Sequence, residues 1–106
     1  MRLVIGGIHQ GKRTFAHTLS DHVYEDLHLA IRESMLAGDD PCALAERIAD
    51  EYADGAITVA ETGCGLIPME AFEREYRECV GRISCRLAAQ AEAVYRVSCG
   101  IAVRIK

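Results

Sequence analysis

Residues 3–12, LVIGGIHQGK, constrain this chain more than any other stretch. Three apolar residues run into Gly6-Gly7-Ile8-His9-Gln10-Gly11-Lys12, which fits G-x-x-x-x-G-K, the loop with which nucleotide-binding proteins cradle phosphate. Only a backbone without Cβ curls closely round a phosphate with its N–H groups turned inward, hence the glycines. Lys12 would reach the terminal phosphates, and the following helix would present its positive end to them. One position departs from the pattern. Arg13 stands where Ser or Thr would ligate magnesium, and Thr14 is a poor substitute, being about 100° further round a helix of roughly 3.6 residues per turn. The candidate nucleotide-binding residues are Gly6 to Arg13.

At 106 residues the chain reads as a single domain over 1–106, with half its residues apolar and a quarter charged, as in an ordinary globular protein. A net charge of −4 argues against binding to nucleic acid or to an anionic membrane, both of which favour a basic surface. No apolar run approaches the roughly 20 residues of a membrane helix. Arg2-Leu3-Val4-Ile5 runs directly into glycine, unlike a signal peptide. Five scattered cysteines, Cys42, Cys64, Cys79, Cys85 and Cys99, form no C-x-x-C pair and read as reduced thiols of a cytoplasmic protein. The four histidines show no metal-site spacing.

Taken in order, residues 2–5 predict a short buried strand and residues 12–19 a helix with Phe15, Ala16 and Leu19 inward. Ser20-Asp21 would cap a second helix over 22–37, in which Val23, Leu27, Ala30, Ile31 and Met35 recur at helical spacing. Asp40 followed by Pro41 is a helix start, and Leu44, Ile48 and Tyr52 continue as a stripe until Gly55. Residues 56–60, AITVA, predict a buried strand, and the longest helix runs over 69–91 on Phe72, Tyr76, Val80, Ile83 and Leu87. Residues 94–98 and 101–105 alternate around Gly100 as a closing hairpin. The result is an α/β domain in which the first loop and the loop beginning at Glu61 meet at the carboxyl edge of the sheet.

The second half is the more specific. Residues 61–68 read E-T-G-C-G-L-I-P, residues 74–88 R-E-Y-R-E-C-V-G-R-I-S-C-R-L-A, and residues 94–106 V-Y-R-V-S-C-G-I-A-V-R-I-K. Together with the first loop these resemble the adenosylcobinamide kinase/adenosylcobinamide-phosphate guanylyltransferase family of cobalamin biosynthesis, over residues 1–16 and about 45–106. That family shows E-x-G-x-G-[IL]-[IV]-P, R-x-[FY]-R-[DE]-x-x-G-R and a closing V-x-x-V-x-x-G-I-x-x-x-[IL]-K. The resemblance implies a shortened three-layer sandwich of the P-loop nucleoside-triphosphate-hydrolase type, with a mostly parallel sheet and an antiparallel hairpin. It also implies ATP or GTP as substrate, a corrinoid as the second partner, and a homo-oligomer, a trimer. Longer members carry extra strands and a guanylylated histidine where this chain has about 25 residues. Nothing here matches the segment around that histidine, so its role passes to none of His9, His17, His22 or His28; His28 has only its location on a helix flank to suggest it. A further segment between Ser20 and His22 would restore much of that site.

Lys12 and Glu61 are the candidate catalytic residues, Glu61 ending an apolar strand where an acid holds magnesium through water. Gly63 and Gly65 suit a substrate lip, and Arg82, in the G-R motif, a phosphate contact. Arg74 and Arg77 pair more simply with Glu70 and Glu73 at i, i+4. Three readings stay open: an enzyme phosphorylating adenosylcobinamide or transferring GMP to its phosphate; a catalytically inactive nucleotide-binding or regulatory module, favoured by Arg13 and the short middle; and a structural subunit assembling through the long helix. Four short strands with unpaired edges favour assembly in each case.

Overall fold

The computed structural model describes residues 1–61 and 70–106. Its elements are β1 (Arg2–Gly6), α1 (Lys12–Leu19), β2 (Val23–Tyr24), α2 (Leu27–Leu36), α3 (Pro41–Glu51), β3 (Ala56–Ala60), α4 (Ala71–Gln90), β4 (Ala93–Ser98) and β5 (Ile101–Arg104). The sheet order is β2-β3-β1-β4-β5. The first four strands run parallel, β1 pairing Leu3 with Ile57 on one side and with Val94 on the other. Only β5 runs antiparallel, in register Ser98 to Ile101 and Tyr95 to Arg104.

Alternation along the strands divides the core in two. Leu3, Ile57, Val59 and Val94 face a large cluster with Leu27, Ile31, Ile48, Tyr76, Val80, Ile83 and Leu87, so α2, α3 and α4 cover one face. Val4, Ala56 and Val97 face a smaller cluster with Ala16, Phe15 and Leu19, so α1 covers the other. A mostly parallel sheet between two helical layers, closed by a hairpin, is the α/β architecture expected. The stripe predicted for α4 is buried as read, apart from the half-buried Phe72.

The start of the second helix is a correction. A helix expected over 22–37 begins only at Leu27, because Val23 and Tyr24 pair with Ala56 and Ile57 as a short edge strand. Val and Tyr favour extended backbone, and Asp26, in the left-handed region at φ 59°, separates strand from helix. The helical spacing from Val23 to Leu27 was therefore coincidental, and the described residues form five strands where four were expected.

Other local signals operate as their chemistry requires. Asp40 accepts from the backbone N–H groups of Cys42 (3.0 Å) and Ala43 (3.3 Å), with Pro41 opening α3. The helix ends at Glu51, a few residues before Gly55. Cys99 and Gly100 both take positive φ, 52° and 76°, as the two central residues of a tight primed hairpin turn do. Cys42, Cys79, Cys85 and Cys99 are free thiols. Among the described residues no helix is long and apolar enough to cross a membrane.

Asp40→Ala leaves two N–H groups of α3 without their side-chain acceptor and is expected to destabilise the fold by about 1 kcal/mol. Calorimetry should show a midpoint lowered by roughly 4–8 °C for a domain of this size; an unchanged midpoint would mean that water serves the helix start equally well.

Candidate functional site

The loop between β1 and α1 lies at the carboxyl end of the central strand, the edge at which ligands enter such sheets. Its shape is set by two glycines and by the hairpin behind it. A Cβ on Gly6 would lie 2.4 Å from the carbonyl oxygen of Val97, so no side chain fits between β1 and β4 there. Gly11 opens α1 at φ 95°, 3.2 Å from its virtual Cβ to Cα of Gly100. Gln10 fastens the loop to the same turn: its side-chain Oε1 accepts from Cys99 N at 2.6 Å and its carbonyl from Gly100 N at 2.9 Å.

Lys12 is the buried cation of this loop, 7% exposed. Its Nζ donates to the carbonyl of Gly7 at 2.6 Å, folding the side chain back across the loop. Burial lowers its pKa, while the nearby carboxylates of Asp26 and Glu61 act in the opposite sense. Among the described residues no side chain caps α1 at Gly11.

Beside the loop lies a cavity of about 420 Å3, lined by Ile8 to Arg13 and by Asp26, His28 and Leu29. The last three come from the junction of β2 and α2, and sequence reasoning missed Asp26 altogether. It is held there because β2 stops after two residues, leaving the edge of β3 uncovered. Asp26 N donates to Thr58 Oγ1 at 2.8 Å, and Ala60 N donates to His28 Nδ1 at 3.1 Å. A backbone N–H can only donate, so Nδ1 carries the lone pair and the neutral ring holds its proton on Nε2. Burial lowers the His28 pKa, Asp26 raising it and Lys12 lowering it further. Tyr76 Oη fixes the same turn by donating to the His28 carbonyl at 3.0 Å, and Arg32 stacks on Phe72 and Tyr76 while binding Glu73 with both Nη groups.

The other expected site residues are dispersed. Glu61 does reach the loop edge, its N–H donating to the Gly6 carbonyl at 2.8 Å. Its Oε1, however, accepts from Arg96 Nε and Nη2 at 3.0 and 2.6 Å. Arg82 lines grooves on α4 with Glu78, Cys42 and Cys85, and is absent from the loop cavity lining. Gly63 and Gly65 lie outside the described residues.

Magnesium asks for oxygen donors in near-octahedral array, commonly one or two carboxylates beside the substrate phosphates. Here Arg13 offers a guanidinium where the loop pattern has a hydroxyl, and the cavity-lining carboxylate, Asp26, already lies 4.0 Å from Arg13 Nε. Glu61 is engaged by Arg96, and among the described residues no three His, Cys, Asp or Glu side chains converge as a metal site. Among the described residues the donors near the loop do not make up such an array.

The family model for cobinamide kinase / cobinamide phosphate guanyltransferase matches residues 40–105, more than half of the chain. The chain is similar to the bifunctional adenosylcobalamin biosynthesis protein CobU of Salmonella typhimurium (strain LT2), 44% identical over 46 residues, and to the protein of that name from Escherichia coli (strain K12), 41% identical over 46 residues. Each match covers 43% of this chain and only 25% of the relative. The matched family region holds β3, Glu61, α4 and the hairpin; the Gly6–Arg13 loop precedes it.

His28 generates a pH dependence with a definite sign. The folded state keeps it neutral where the unfolded chain protonates, so the unfolded state binds more protons as pH falls below the ordinary value near 6.5. Stability contributed by the neutral ring is thus present above that value and lost below it. His28→Asn keeps an acceptor for Ala60 N–H but cannot titrate, so urea midpoints measured from about pH 7.5 to 5.5 should fall less than in wild type. Parallel declines would show that His28 carries no such linkage.

Proposed function

Because the chain belongs to the cobinamide kinase / cobinamide phosphate guanyltransferase family, we propose that it is a transferase of adenosylcobalamin biosynthesis that holds a nucleoside triphosphate, ATP or GTP, in the cavity between the Gly6–Arg13 loop and the start of α2. The observation that carries this reading is the buried Lys12, folded onto the Gly7 carbonyl beside that cavity. A desolvated ammonium bonded to a single carbonyl keeps two further N–H donors for an incoming phosphate oxygen. The first turn of α1 and the loop backbone add donors and a favourable dipole.

The geometry supports phosphoryl transfer to a hydroxyl, such as that of adenosylcobinamide, more directly than transfer of GMP. In the phosphoryl step the loop and Lys12 stabilise charge on the transferred group by position and electrostatics. Asp26, on the opposite wall of the cavity, is placed to accept the proton of an approaching alcohol. A covalent GMP step needs a free nucleophile, and His28 has one nitrogen bound to Ala60 and the other protonated. His9, the other histidine lining the cavity, is exposed on the loop.

Lys12→Ala removes a charge-assisted contact of about 1.5–3 kcal/mol and should weaken nucleotide binding roughly tenfold to a hundredfold by isothermal titration. If wild type binds neither ATP nor GTP, the phosphate site does not exist. A coupled assay with cobinamide is expected to yield phosphorylated corrinoid; nucleotide binding without any corrinoid product leaves a binding module in place of an enzyme.

A further inference from the structure

Arg13 replaces a magnesium ligand with a fixed cation, and its surroundings indicate how that cation is kept. Its side chain is exposed and lines the cavity next to Lys12. Its Nε lies 3.7 Å from Glu25 and 4.0 Å from Asp26, beyond hydrogen-bond distance of either. Exposed pairs of this kind are worth only about 0–1 kcal/mol. A guanidinium on a phosphate forms charge-assisted, often bidentate bonds that are substantially stronger. Exchange of Arg13 from Glu25 and Asp26 to a phosphate oxygen is therefore favourable, and it leaves no coordination shell to be filled. Asp26 gains from the same event, because its carboxylate is released toward the cavity while its backbone stays tied to Thr58.

Resting on the nucleotide site just described, we infer that this cavity takes the polyphosphate of its nucleotide without a divalent cation, Arg13 supplying the positive charge that magnesium supplies elsewhere. Glu61 agrees with this arrangement: its carboxylate is held by Arg96 on β4 and serves as an anchor between the end of β3 and the hairpin strand.

Isothermal titration of ATP and GTP into the full chain, in EDTA and in excess magnesium, tests the inference directly. Wild type should bind in EDTA at least as tightly as in magnesium. Arg13→Ser restores the hydroxyl of the loop pattern; its affinity in EDTA should fall about tenfold or more, the weight of one charge-assisted contact, and magnesium should recover part of the loss. Asp26→Asn, which tolerates the left-handed backbone, should tighten binding in EDTA because Arg13 then has one competing carboxylate fewer. Wild-type binding that depends on magnesium, or an Arg13→Ser protein indistinguishable from wild type in EDTA, overturns the inference while leaving the phosphate loop intact. Absence of binding under both conditions overturns the loop reading and this inference together.

Discussion

The arrangement at the loop depends on how the open edge of β3 is satisfied. Beyond Tyr24 the edge strand β2 has ended, yet β3 continues through fully buried positions to Ala60. An unpaired backbone N–H at such a position costs about 1–3 kcal/mol. The chain meets this constraint with a side chain: His28 Nδ1 accepts a hydrogen bond from Ala60 N–H, while Thr58 Oγ1 gives Asp26 N–H an acceptor. Those two bonds draw the first turn of α2 onto the sheet end. They thereby put a carboxylate and a buried imidazole opposite Lys12. The cavity is a consequence of a strand three residues too short to cover its neighbour.

The opposite wall is built on the same logic from the other side of β1. Gly6 runs so close to Val97 that no side chain fits between them, and Gln10 bonds twice to the Cys99–Gly100 turn. The C-terminal hairpin therefore acts as the backing of the N-terminal loop, although nearly the whole chain separates them in sequence. This connects the two halves of the protein physically. The family match lies in the half that contains the hairpin, and the hairpin shapes the loop that lies outside the match.

Sequence patterns captured what short-range chemistry determines. α1 and β3 have the predicted bounds, Asp40-Pro41 starts α3, and Cys99-Gly100 turns the hairpin. The misread element, over 22–37, is where two periodicities coincide: Val23 and Leu27 fit a helix by spacing, and pairing with Ala56 and Ile57 decides for strand. Site residues divide in the same way. Lys12 was legible as a candidate because the G-x-x-x-x-G-K pattern carries its own chemistry. Asp26 was not, since nothing near it in sequence indicates the neighbouring strand end that positions it. His28 had only a location, and its tautomer follows from a backbone donor 32 positions away.

Charge shows where this chain departs from the pattern it otherwise follows. Two guanidiniums stand beside carboxylates at this edge: Arg13, at the opening of α1, near Glu25 and Asp26, and Arg96 on the carboxylate of Glu61. A dissociable ion must be bound, partly dehydrated and oriented, whereas a side-chain cation is present before the ligand arrives and needs little reorganisation when charge develops. Its drawback is attraction to its own protein's acids. Weak, solvent-screened pairs with Glu25 and Asp26 keep that attraction small, and Asp26 also lines the cavity. In the proposed nucleotide site, phosphate capture by Arg13 would free that carboxylate through a single side chain.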